Sequence, residues 1–216
     1  MSRSLDAIGF DLDGTLWDCT QTVAKTWQRI CEKDVRIKKI PTAADIQSVM
    51  GLTTEEIADR LFPELSWEEG QALMELCSVE ELTELLAEGG QLFDGLEDVL
   101  TELSKQYKLY IVSNCNPGYI EAFLTYHQLG KYFCDHEDHG STKLSKVQNI
   151  RLVMKRNHFT KTIYVGDTPG DCKAAQEAGI PFIHAAYGFG KVEAPMQLQQ
   201  IRDLPELLND LLAQGL

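Results

Sequence analysis

Leu5-Asp6-Ala7-Ile8-Gly9-Phe10-Asp11-Leu12-Asp13-Gly14-Thr15 is the stretch on which the reading of this chain turns. Its first half is a short apolar run of strand length. Its second half is polar and ends at a glycine that lets the chain leave a strand sharply. A buried strand stopping at carboxylates suits an open parallel sheet, in which ligands sit beyond the carboxyl ends of the strands.

The pattern recurs downstream. Strands are predicted over 5–10, 109–113, 162–165 and 182–184, with a weaker one over 132–136. Leu96, Val99, Leu100 and Leu103 recur at helical spacing before the second of these. Val147, Ile150, Val153 and Met154 do so before the third, and Ala174, Ala175 and Ala178 before the fourth. This is the rhythm of crossover helices between parallel strands, an α/β fold. Residues 18–90 break it. There the sequence predicts helices over 21–32, 43–50, 53–61 and 67–86, two of them opened by capping boxes at Thr53/Glu56 and Ser66/Glu69. Pro41, Pro63 and Gly89-Gly90 punctuate the segment. The expected organisation is an α/β core from residues 1–17 and 91–216 with a helical insertion at 18–90. A terminal helix is expected near 204–212.

The predicted strand ends carry the chemistry. The first ends in Asp11-Leu12-Asp13-Gly14-Thr15, the second in Ser113-Asn114 and the third in Gly166-Asp167-Thr168-Pro169-Gly170-Asp171. Four Asp side chains on one rim need a cation, because like charges raise one another's pKa. All-oxygen ligation points to a hard ion, Mg²⁺ rather than Zn²⁺.

In order and spacing, Asp11-x-Asp13-Gly-Thr, Ser113, Lys146 and Gly-Asp167-x-x-x-Asp171 resemble the four signature motifs of the haloacid dehalogenase superfamily. The helical segment resembles that superfamily's C1-type cap, and the nearest branch is the phosphoglycolate phosphatase/β-phosphoglucomutase-like one. The resemblance covers nearly the whole chain. It implies a Rossmann-like core with a parallel sheet and Mg²⁺ as cofactor. Asp11 would be the nucleophile and Asp13 the general acid/base. Ser113, Asn114 and Thr15 would contact the phosphoryl group, with Trp17 at the substrate entrance. Asp11, Asp167, Asp171 and the backbone carbonyl of Asp13 would form the metal site. The third motif departs from the usual Lys-Pro: this chain has Thr142-Lys143-Leu144-Ser145-Lys146-Val147. Lys146 is the expected lysine because it immediately precedes the apolar face of a helix. Lys143 is the alternative.

Composition narrows the classes. With 20 basic and 33 acidic residues the formal charge is −13, which excludes a general nucleic-acid or anionic-membrane surface. No apolar run approaches the roughly 20 residues of a membrane span, and residues 1–6 do not read as a secretory signal. The six scattered cysteines have no C-x-x-C pair and read as free thiols. A cytoplasmic monomer or homodimer acting on a small phosphorylated metabolite is the expectation.

Several features also have plain structural readings. His136-Glu137-Asp138-His139 reads as a solvated loop rather than a metal site. Cys115 and Cys172 read as small fillers, and Trp27 and Trp67 as packing within the helical insertion. Tyr187-Gly188-Phe189-Gly190 is placed at the substrate entrance. Thr168 reads as a helix N-cap with Pro169 at the first helical position. Three functions follow from the resemblance: a phosphatase, a sugar phosphomutase, or a binding protein without turnover. A mutase should carry an Arg near Met50-Gly51-Leu52-Thr53 to hold a second phosphate. The nearest is Arg60, so hydrolysis is preferred.

Overall fold

The computed structural model describes residues 5–214. The chain opens with β1 (Ala7–Phe10), fully buried, and a two-residue β2 (Trp17–Asp18). Four helices follow in succession: α1 (Thr20–Cys31), α2 (Ala43–Gln47), α3 (Thr54–Leu61) and α4 (Trp67–Glu88). The short β3 (Gln91–Leu92) leads into α5 (Leu96–Leu103), β4 (Lys108–Ser113), α6 (Tyr119–Tyr126), β5 (Phe133–Asp138) and a single turn, α7 (His139–Thr142). The rest is α8 (Lys146–Arg156), β6 (Thr162–Gly166), α9 (Pro169–Ala178), β7 (Phe182–Ala185), β8 (Gln197–Leu198) and α10 (Leu204–Ala213).

One sheet holds six strands in the order β5-β4-β1-β6-β7-β8, every neighbouring pair parallel. Alternate side chains serve opposite faces. Ile8, Phe10, Ile111 and Val165 pack into the larger apolar core, and Ala7, Tyr110, Val112 and Tyr164 into the smaller one. Apolar burial on both faces is why these strands read as near-continuous hydrophobic runs. Phe10 pairs with Ile111 on one side and Val165 on the other, so β1, β4 and β6 end at one level. After β1 the chain crosses to β4 and β5 on one side, then returns to β6 on the other. The crevice of this doubly wound fold therefore opens at β1.

Differences from the sequence-based expectation are local. The first strand begins at Ala7 rather than Leu5, because the Asp6 carboxylate instead accepts the backbone N–H groups of Thr160 and Lys161, both at 2.8 Å. The second helix of the insertion stops at Gln47 instead of reaching Met50. Val49 and Met50 donate back only three residues, and the chain then turns at Gly51 with φ +83°. His136-Glu137-Asp138 is not loop but the end of β5, and Asp138 caps α7 by accepting from the Ser141 N–H at 2.6 Å. Trp27 is buried as expected, whereas Trp67 is largely exposed at the start of α4. Capping boxes open α3 and α4 at the predicted residues, and others open α2, α8 and α9.

Two-residue β2 and β3 are too short to carry a sequence periodicity. They pair antiparallel, Trp17 with Leu92 and Asp18 with Gln91, so the strands leading into and out of the four helices lie side by side. Thr22 adds a hydroxyl bond to the Gly89 carbonyl at 2.7 Å. All six cysteines are free thiols. Among the described residues, no helix is long and apolar enough to cross a membrane.

Candidate active site

Asp11 follows β1 directly, its N–H held by the Val165 carbonyl at 2.9 Å. The chain then turns at Gly14, where φ is +76° and a Cβ would collide with the Asp167 carboxylate. Only glycine meets both conditions. Asp167 follows β6, and Asp171 lies in the first turn of α9, where it completes the capping box of Thr168. Asp11, Asp167 and Asp171 each offer a carboxylate oxygen within 4.8 Å of the others, all three buried.

A buried lysine enters this cluster. Lys146, the first residue of α8, donates from Nζ to Asp11 Oδ1 at 2.8 Å and to Asp171 Oδ1 at 2.5 Å. Burial alone would favour its neutral amine, but the charges of Asp11 and Asp171 outweigh burial and keep the ammonium firmly protonated. Asp171 spends its other oxygen on Thr168, accepting from N–H at 3.0 Å and from the hydroxyl at 2.6 Å. Its two oxygens are therefore committed to Lys146 and to the helix cap. Asp167 Oδ2 is likewise committed, accepting the N–H groups of Phe189 at 2.7 Å and Gly190 at 3.2 Å.

Two buried oxygens remain without any partner, Asp11 Oδ2 and Asp167 Oδ1. Three carboxylates against one ammonium leave the buried cluster with a formal charge of −2. Burial and then the charge of Asp171 push the Asp11 carboxyl well up, against the pull of Lys146. The same two causes bring Asp167 to about 7. Unpartnered buried carboxylate oxygens and an uncompensated charge of two are what a divalent, oxygen-seeking cation would satisfy. Asp11 and Asp167 supply the free oxygens, and Asp171, the third carboxylate of the cluster, bonds Lys146 and caps α9.

Asp13 points elsewhere. Its Oδ1 accepts from Trp17 Nε1 at 2.8 Å, Tyr119 Oη at 3.1 Å and Cys19 Sγ at 3.2 Å, which leaves its other oxygen uncommitted. Burial raises the Asp13 carboxyl, and these three donors moderate the rise. The result is a carboxyl fixed in place and shifted upward by burial, the direction that suits a general acid.

Asp13, Ser113 and Asn114 line the core side of a cavity of about 60 Å³ that extends between the sheet and the four helices. Asn114 Nδ2 donates to the Gly51 carbonyl at 2.9 Å, and Thr54 Oγ1 donates to Asn116 Oδ1 at 3.0 Å. These bonds hold the Met50–Thr54 turn down over the rim, where Gly51 lies against the Thr168 side chain. Thr15 is fully buried and its hydroxyl is unpartnered, but it does not line the cavity.

Two placements expected from sequence are corrected. Trp17 is completely buried, in edge contact with Tyr119, Phe123 and His127, so it orients Asp13 rather than lining an entrance. Tyr187-Gly188-Phe189-Gly190 also misses the cavity. Tyr187 Oη bonds the Thr15 carbonyl at 2.8 Å, and the next residues' amides hold Asp167. Lys143 is exposed at the end of α7 with φ +57°, away from Asp11. His136 faces Glu121 and His139 faces the Leu144 carbonyl, so the two do not converge. Cys115 lines the cavity beside Ser113.

Three residues of the site carried no sequence signal. Tyr119 and Cys19 both reach Asp13 Oδ1 and bond each other at 2.9 Å, and Glu81, on α4, is buried in the cavity lining with Oε2 accepting from Trp27 Nε1 at 2.7 Å. Sequence separations of 106 and 54 residues place such contacts beyond any local pattern.

Comparison with known proteins agrees with this geometry. A family model described as haloacid dehalogenase-like hydrolase matches residues 8–185. A phosphoglycolate phosphatase from Synechococcus elongatus is 28% identical over 197 residues, spanning 86% of this chain and 85% of that protein. Among solved structures, a haloacid dehalogenase-like hydrolase from Bacteroides fragilis superposes with a TM-score of 0.82 at 21% identity, covering 93% of this chain and 100% of that one. A β-phosphoglucomutase from Clostridium difficile gives a TM-score of 0.76 at 18% identity, covering 97% and 100%. At those identities the two structures speak for the fold alone. The family model extends from the first strand through β7, across every residue gathered at the rim, and the chain belongs to the haloacid dehalogenase-like hydrolases.

Proposed function

We propose that this chain is a Mg²⁺-dependent phosphomonoesterase that passes the phosphoryl group through Asp11. The observation that carries the reading is the buried cluster. Lys146 bonds Asp11 and Asp171, while Asp11 Oδ2 and Asp167 Oδ1 have no partner.

In this reading Mg²⁺, held by Asp11, Asp167 and the Asp13 carbonyl, would offset negative charge on the phosphoryl oxygens and the carboxylates. The chain's own residues do the rest. Lys146 holds Asp11 in place and stands beside the oxygens of the transferred group, where positive charge counts most in phosphoryl transfer. An Asp11 oxygen attacks phosphorus as the bond to the leaving alcohol breaks. Asp13 gives its proton to that alcohol oxygen, leaving an alcohol and an aspartyl-phosphate. Asp13, now a carboxylate steadied by Trp17, Tyr119 and Cys19, takes a proton from water. The hydroxyl attacks phosphorus, releasing inorganic phosphate and restoring both aspartates. In this reading Ser113 and Asn114, which line the cavity, contact the phosphoryl oxygens. The turn held by Asn114 and Asn116 keeps solvent out during the first step.

Among the described residues no Lys, Arg or His lines the cavity, which disfavours a mutase needing to hold a second phosphate. The test is phosphate release from a panel of phosphomonoesters, with Mg²⁺ and with excess chelator, for the wild type and Asp11→Asn. Release is expected only from wild type with metal. Release by well-folded Asp11→Asn, or full activity in chelator, would refute the covalent or the metal-dependent reading respectively. No release from any ester would favour a binding protein.

A further inference from the structure

Glu81 is the part of the cavity that the mechanism above does not use. It sits on the inward face of α4 with Leu73, Met74, Cys77 and Leu85, all buried, at a position where the helix otherwise places apolar side chains. The carboxyl is 7% exposed, and its bond from Trp27 Nε1 engages Oε2 alone. The surrounding cavity wall is apolar, built from Val23, Ile46, Val49, Leu52, Ile57 and Met74. A buried carboxyl with one hydrogen bond is costly; the Trp27 N–H across the α1–α4 contact occupies Oε2 and leaves Oε1 without a hydrogen bond from the described residues. Glu81 lines the same cavity as the catalytic groups Asp13 and Ser113.

We propose that Glu81 receives the leaving-alcohol end of the substrate, which carries a hydrogen-bond donor, a hydroxyl or an ammonium, on a short chain without a second anion. The inference rests on the phosphomonoesterase reading and specifies its substrate class. A donor reaching Glu81 replaces the water it loses, while the intervening carbons lie against the apolar wall. An ammonium gains a charge partner in the ionised carboxylate. A hydroxyl serves either protonation state. Burial, moderated by the Trp27 bond and reinforced by the Asp13 charge, raises Glu81 to about 8, which accords with a neutral acid in the empty cavity. A terminal carboxylate, in contrast, loses its hydration with no Lys, Arg or His among the described lining residues to offset its charge. Phosphoglycolate, the compound in the names of several relatives, is such an anion.

The experiment compares kcat/KM for four esters of similar length: aminoethyl, hydroxyethyl and propyl phosphate, and phosphoglycolate. It uses the full chain with saturating Mg²⁺ and p-nitrophenyl phosphate as a generic substrate. At least one donor-bearing ester should exceed propyl phosphate and phosphoglycolate by about 10²-fold or more, since sites built to hydrogen-bond a substrate group discriminate by up to about 10⁴–10⁵-fold. The ratio between aminoethyl and hydroxyethyl phosphate identifies the donor. Glu81→Leu should erase the advantage over propyl phosphate, chiefly through KM. Glu81→Gln, which keeps a neutral polar group, should spare the hydroxyl ester and weaken the amino ester. Phosphoglycolate matching or exceeding both donor esters, or an unchanged ranking in folded Glu81→Leu and Glu81→Gln, overturns the proposal while leaving the phosphatase reading intact. Failure to hydrolyse all five compounds removes the phosphatase reading and this inference with it.

Discussion

Replacing Glu81 by Gln should stabilise the fold, and by an amount that depends on pH. In the unfolded chain this carboxyl titrates near 4.5. In the fold, burial raises it to about 8, partly offset by the Trp27 hydrogen bond and reinforced by the Asp13 charge. Below both values the two states are equally protonated and Glu81 contributes no pH dependence. Between them the unfolded chain has lost the proton and the folded chain has kept it, so stability falls as pH rises. The slope is about 1.4 kcal/mol per pH unit, reaching roughly 4–5 kcal/mol near pH ~8. Gln is neutral throughout, and its carbonyl oxygen still accepts from the Trp27 indole. The unfolding free energy of Glu81→Gln minus that of the wild type should therefore be constant below pH ~4.5, climb with this slope and level off above pH ~8. Urea unfolding followed by tryptophan fluorescence and circular dichroism, at one fixed Mg²⁺ concentration, measures the difference. Two other raised carboxyls, Asp11 and Asp167, are common to both proteins and largely cancel. A difference that stays flat from pH ~5 to ~8, or that declines, would show that Glu81 is already ionised in the fold and refute this reasoning.

Lys146→Ala should abolish turnover and cost about 3–5 kcal/mol in stability, because Asp11 and Asp171 are left buried without their shared counter-charge. Lys143→Ala, at an exposed site, should leave phosphate release close to wild type, and the reverse pattern would reassign the lysine. Trp17→Phe removes one of the three donors to Asp13 Oδ1, so its carboxyl, already raised by burial, should rise further. The alkaline limb of kcat/KM should then move to higher pH. A shift to lower pH in the measured profile would mean that Asp13 does not act in its protonated form.

The parallel strands and the amphipathic helices were legible in the sequence because each is a run with its own period. Gly14, Asp167 and Ser113 were legible for a related reason. Polar residues that interrupt buried strands must lie at the strand ends, and parallel strands share one end. Lys146 could be preferred over Lys143 because it opens the apolar face of α8. The misreadings share a different cause. Trp17 and Asp18 form too short a strand to show a period, so the burial of Trp17 and its bond to Asp13 depend on β3, more than seventy residues onward. His136-Glu137-Asp138 is polar because β5 is an edge strand, and polarity alone suggested a loop. In the sequence Glu81 is one of several acids on an acid-rich helix, with no pattern to set it apart. Only the packing of α1 against α4 turns it inward.

The β2–β3 ribbon has a consequence for timing. Trp17 belongs to the pair of strands through which the chain leaves and re-enters the sheet domain, and its indole is also a donor to Asp13. Any swing of the four helices must bend about this ribbon. A bend there disturbs the residue that tunes the proton on Asp13. On the proposed mechanism, cover and proton source share a mechanical part, the Trp17 indole, so the covered geometry is the one in which the acid is fully braced.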